Sequence, residues 1–151
     1  MESELKKSKF EECLEKGELR KVPSSKQKSQ RSVKTARKWL KEARTNFNNE
    51  AYKSCLLSSY IAMFHSARAI LFFDGYREKS HYCVGRYLEE KYVKNDRLEN
   101  KWVKLFDHYR ELRHKDHYSL SFTATLKEAK KAVETAEEFV DRMDELLGEM
   151  M

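Results

Sequence analysis

The sequence predicts an all-α fold, and three observations carry that expectation. The 151 residues include only four Gly and one Pro, far too little punctuation for the turns of a many-stranded β fold. Apolar residues recur at steps of three and four, the spacing of one helix face, and not in the strict alternation of a half-buried strand. Segment starts carry helix-capping residues at the right offsets, as at Thr125 with Glu128 three positions on. The length suits one domain with a real core, and no sheet is expected.

Each element follows from its residues. A short first helix around Leu5 to Lys16 carries Phe10, Cys13 and Leu14 on one side and ends at Gly17. The connector KVPSSKQKSQ holds the only proline, and Ser24 with Gln27 offers a capping box for the next helix. We expect residues 1–24 to be a helical extension with its connector and 25–151 to be the bundle. The second helix runs through Val33, Ala36, Leu40, Ala43 and Phe47, one apolar face. Asn48 and Asn49 offer a break and a new N-cap. The third helix then carries two apolar stripes, Tyr52–Leu56–Met63–Ile70–Phe73 and Tyr60–Phe64–Ala67–Leu71, so it should have neighbours on more than one side. Gly75 ends it. A shorter helix from about His81 to Lys94 follows, then one with Trp102, Leu105, Phe106, Tyr109 and Leu112. The last helix repeats at Leu126, Ala129, Val133, Ala136, Val140, Met143, Leu147 and Met150, a spacing that suits a bundle or a coiled coil.

Charge is unevenly placed. Lys16 to Arg44 holds eleven Lys/Arg against two Glu, whereas Lys127 to Glu149 holds four against eight Asp/Glu. A basic front of this kind suits RNA, DNA or an acidic protein, and equally a solvated helix face. MESELKKSKF has no apolar segment of the sort a secretory signal needs, and the three cysteines are odd in number and far apart. Reduced thiols and a cytoplasmic location are the expectation. The uncharged stretch from Ser54 to Ala67 contains four serines and a histidine, too short and polar to span a bilayer, so no membrane is expected.

The stretch RELRHKDHY, residues 110 to 118, concentrates the chemistry. On a helical wheel with Trp102 at zero, Arg113 falls at roughly 20°, His117 at roughly 60°, Arg110 at roughly 80° and His114 at roughly 120°. An arginine therefore points along the apolar face, where an unpaired guanidinium is costly, and should meet a carboxylate, a helix C-terminus, a second subunit or a bound anion. Arg110, Arg113 and His117 could converge on one phosphate; a structural ion pair with frayed histidines has the same pattern. His65, His81 and Cys83 have no recognised ligand spacing, and there is no Gly-rich phosphate loop, so neither a metal nor another cofactor is expected.

The run SSYIAMFHSARAILFF followed by GYREKSH, then RELRHKDHY, then LKEAKKAVETAEEFVDRM, resembles the HEPN superfamily, small helical domains named for higher eukaryotes and prokaryotes nucleotide-binding. The resemblance covers Val33 to Leu147 and implies an up-and-down bundle of four main helices plus shorter ones, usually a homodimer. It also implies a minimal nucleotidyltransferase as a partner for many members, and metal-independent ribonuclease activity for some, through an Arg and a His with four to six residues between them. Two function classes follow. In the first the chain is a nucleotide- or RNA-binding module using Arg110, Arg113, His114, His117 and Tyr118. In the second it is a ribonuclease with Arg110 and His117 as the catalytic pair, His117 taking the 2′-hydroxyl proton and leaving a cyclic phosphate end.

Overall fold

The computed structural model describes residues 6–118 and 122–151, with the side chains of 116–118 outside that description. The chain runs α1 (Lys9–Glu15), β1 (Leu19–Lys21), α2 (Lys26–Asn48), α3 (Tyr52–Asp74), β2 (Tyr76–Glu78), α4 (His81–Leu88), a π-helical turn (Glu89–Val93), α5 (Asn100–Tyr118) and α6 (Leu126–Met150). Four long helices, α2, α3, α5 and α6, build the bundle, and α3 packs against the other three. This explains its two stripes: Tyr60, Met63, Ile70 and Leu71 are fully buried, and Phe106 of α5 and Phe139 of α6 stack at 6.0 Å beside them. By length and composition α3 could pass for a membrane-crossing helix, but its apolar faces are taken up inside the bundle. The α6 seam is a bundle seam, not a coiled coil. Phe139, Leu146 and Ala132 are buried with Ala136, Val140 and Met143, a wider face than the repeat implied, while Leu126 stands exposed.

Several boundaries differ from the sequence reading for local reasons. Helix α2 is capped by Ser25, whose hydroxyl accepts from Lys28 N at 3.1 Å, one residue later than the Ser24/Gln27 box. Ser25 N donates to Phe72 O and Val22 N to Gly75 O, so the connector is tied to the end of α3 before the helix begins. Gly75 has φ 89°, and a Cβ there would meet Val22 O at 2.7 Å, so only glycine allows that approach. Between α2 and α3, Asn49 closes the first helix and does not cap the second. Glu50, with φ 60°, makes the turn, and Ala51 gives α3 no side-chain cap. The expected helix from His81 to Lys94 is α4 plus the π turn. The wider π turn brings residues five apart onto one side, and both Tyr87 and Tyr92 donate to Asp74 Oδ2 at 2.6 Å.

Two features were not anticipated. A small antiparallel ribbon pairs Leu19 with Glu78, Arg20 with Arg77 and Lys21 with Tyr76; strands of three residues are too short for periodicity to register. Cys13 and Cys83 form a disulfide joining α1 to α4, which corrects the reduced-thiol expectation for these two. Spacing along the sequence cannot show that α1 folds back onto α4. Cys55 is a free, buried thiol.

The basic front and the acidic tail meet within the chain. Arg37 of α2 bonds Asp141 at 2.7 Å and Asp144 at 3.0 Å, and Arg44 bonds Glu137 at 2.5 Å, all on α6. Part of the charge asymmetry is thus the seam of one helix pair.

Candidate functional site

The site is assembled where α4 begins, against the second half of α5. Ser80 caps α4, which fixes His81 in the first turn. The His81 ring lies flat on Phe64 of α3, centroids 3.9 Å apart and planes 10° apart, and its Nδ1 shares a 2.8 Å hydrogen bond with Tyr60 Oη. Gly85 lets α4 approach α5, since a Cβ there would sit 3.1 Å from Asp107 Oδ1. On α5, Arg110 and Arg113 are one turn apart and face the same opening. Together with Ser80, Tyr82, Glu111, His114 and Lys115 these residues line a cleft of about 630 Å³, in which the exposed Glu111 carboxylate lies 3.8 Å from Arg110.

Electrostatics make this cleft hungry for an anion. Asp107 is drawn to Arg86, at 2.5 Å, and meets Arg110 only at 3.5 Å. Arg86 and Arg110 both lie over the Tyr82 ring, at 4.7 and 5.4 Å. Among the described residues no carboxylate pairs with Arg113, and the Nε atoms of Arg110 and Arg113 are buried without a hydrogen-bond partner. A buried donor left unsatisfied costs about 1–3 kcal/mol. Burial, then the neighbouring Arg113 charge, pushes the His81 imidazole down to about 4, so it is neutral at physiological pH. Burial holds the Tyr60 phenol well above its ordinary range. In the neutral ring one nitrogen donates and the other accepts, so the Tyr60 Oη–Nδ1 bond fixes the role of Nε2: a donor where Tyr60 donates, an acceptor where Nδ1–H does.

The structure brings Arg110, Arg113 and His114 to one cleft, with Arg113 half-buried and in no ion pair among the described residues; the wheel had grouped the two arginines with His117 instead. Helix α5 continues through Tyr118, but the side chains of His117 and Tyr118 lie outside the described residues. His81 and Tyr60 were missed as site residues. The signal was present in GYREKSH, whose serine caps the helix and whose histidine starts it; what the sequence hid is that α3, α4 and α5 meet there. Among the described residues no three His, Cys, Asp or Glu side chains converge as a metal would need.

The bundle with its short α1 and α4, and a two-arginine cleft late on α5, define a class, and the model of the HEPN domain family matches residues 29–146. The chain belongs to the HEPN family. It is similar to the Methanocaldococcus jannaschii protein named "Putative toxin MJ0605", with 29% identity over 119 residues, covering 79% of this chain and 88% of that relative.

Proposed function

We propose that this chain is a HEPN module that binds a nucleotide or RNA by its phosphates in the Arg110/Arg113 cleft. It works as one half of a toxin–antitoxin-like pair whose other half is a minimal nucleotidyltransferase. The observation that carries the reading is the pair of guanidiniums with buried, unpartnered Nε groups beside a neutral histidine: two forks and an imidazole face one opening, where among the described residues Glu111 is the lining carboxylate and none forms an ion pair with Arg113. The toxin name of the relative supports the toxin half of this reading, and the nucleotidyltransferase half rests on the family resemblance alone. Self-association belongs to the same reading. The apolar seam of α3 is consumed inside the chain, so a second copy would meet the cleft face, where Tyr82 is exposed at the rim. The test is binding of a 5′-phosphorylated dinucleotide. Arg113→Ala should lower affinity about tenfold or more, Arg113→Lys should restore it only in part, and affinity should fall with salt. Unchanged binding in Arg113→Ala would refute it.

A second reading, the ribonuclease, has one observation in its favour. A neutral imidazole sits in the cleft beside two arginines, and in the tautomer in which Nδ1–H donates to Tyr60 Oη its Nε2 is free to act as base with the arginines as charge stabilisers. Its sequence-expected pair is Arg110 and His117. Cleavage of a model RNA by the wild type, lost in His117→Ala with binding retained, would establish it.

A further inference from the structure

Beyond the cleft, α3 carries a second basic cavity on the α2 and β2 side, about 270 Å³, lined by Lys28, Arg31, His65, Arg68, Phe72 and Arg77. Three cations surround one half-buried ring: Lys28 Nζ at 6.0 Å, Arg68 at 5.7 Å and Arg77 at 5.5 Å from the Phe72 centroid. Only Arg68 has a carboxylate, the buried Glu78, which it holds at 2.5 Å. Among the described residues Lys28, Arg31 and Arg77 have none, in contrast to Arg37 and Arg44 further along α2, which α6 neutralises. Two local choices make the cavity more positive at a cost. Arg77 sits opposite Arg20 in the ribbon, where like charges repel. Helix α2 opens with no acidic residue in its first turn, although its N-terminus favours negative charge. Both costs are relieved by a bound anion. The cavity is also joined to the cleft. His81 lies on Phe64, Arg68 lies 4.8 Å from the same Phe64 ring, and Arg68 reaches on to Phe72, so one stack of rings and guanidinium separates the two openings.

We propose that this cavity is a second phosphate-binding site, which takes the backbone of a single-stranded RNA on the cations gathered around Phe72. That the same strand continues into the Arg110/Arg113 cleft rests on the reading given above; the second site does not. Basic grooves that track the backbone hold single strands in this way without reading sequence.

The test uses fluorescence anisotropy with two probes, a 5′-phosphorylated dinucleotide and a single-stranded RNA of about twelve nucleotides, long enough to span several phosphates. In the Arg31→Gln, Arg77→Gln variant, affinity for the longer RNA should fall about tenfold or more and its salt slope by about 1.4, while dinucleotide affinity is unchanged. Arg113→Ala should weaken both probes. Lys28→Gln, which leaves the ribbon untouched, should show a smaller loss in the same direction and guards against a folding defect. Wild-type RNA affinity in both cavity variants overturns the proposal while leaving the cleft intact, and so does loss of an acidic protein partner with RNA binding retained. Loss of RNA binding in the cavity variants with no effect of Arg113→Ala on either probe would keep this site and refute the cleft.

Discussion

Replacing Arg113 with Met should make the protein more stable and less able to bind. The guanidinium has a buried Nε with no partner, is in no ion pair among the described residues, and stands one turn from Arg110. Removing an unsatisfied donor regains part of the roughly 1–3 kcal/mol that its desolvation costs. Methionine keeps most of the apolar stem, so little packing is lost. Arg113 is only half-buried, so the net gain should be about 1 kcal/mol, or about 2–4 °C in Tm for a domain of this size. Thermal unfolding by circular dichroism reads the first half, and calorimetry with a 5′-phosphorylated dinucleotide reads the second, where binding should be lost. Because the Arg113 charge helps to hold the His81 imidazole low, the His81 titration should also move up in this variant. A fall in Tm of about 3 °C or more, about 1 kcal/mol, with binding unchanged, would show that Arg113 is a structural residue and refute the reasoning.

His81 should add an acid-sensitive component to stability. Its folded value is about 4 against an ordinary 6.5, so the unfolded chain takes up the proton first. The contribution is complete above about pH 6.5, is lost as pH falls toward 4, and amounts to about 2 kcal/mol once partial exposure is allowed for. Urea unfolding at several pH values should show it in the wild type and not in His81→Phe. Phe106→Ala, at a fully buried ring stacked on Phe139, should cost about 3–5 kcal/mol by chemical denaturation. Breaking the Cys13–Cys83 bond, which spans 70 residues, with Cys13→Ser should cost about 4 kcal/mol in the chain-entropy account, and a reductant should reproduce the loss in the wild type.

How much was legible in the sequence depended on how local each signal was. Three-and-four spacing placed α2, α3, α5 and α6, and it singled out Met63 and Phe106, which are fully buried. The Thr125–Glu128 capping box was read as it stands, because both partners lie within one turn. The Ser25 cap was missed by one residue because it is set by bonds from the connector to Phe72 and Gly75, far along the chain. The same limit explains the site. Arg110 and Arg113 are neighbours on one helix, so a wheel could pair them; His81 and Tyr60 come from two other helices, and only packing joins them. The disulfide and the three-residue ribbon are likewise long-range pairings of short segments. The basic front was visible as composition, but which of its charges are spent on α6 and which remain for a ligand required the contact between α2 and α6.

The most direct test of the phosphate-binding cleft is the His81 imidazole itself, followed by NMR of the labelled histidines while a 5′-phosphorylated dinucleotide is added. Burial and then the Arg113 charge hold the ring neutral, and a phosphate held by Arg110 and Arg113 beside it offsets the second of these, so the His81 titration should rise from about 4 as the site fills. The rise should saturate with the same Kd as binding, and in Arg113→Ala both should move together to a Kd about tenfold or more higher. An unmoved His81 titration at saturating dinucleotide, or the same binding in Arg113→Ala, would contradict the account.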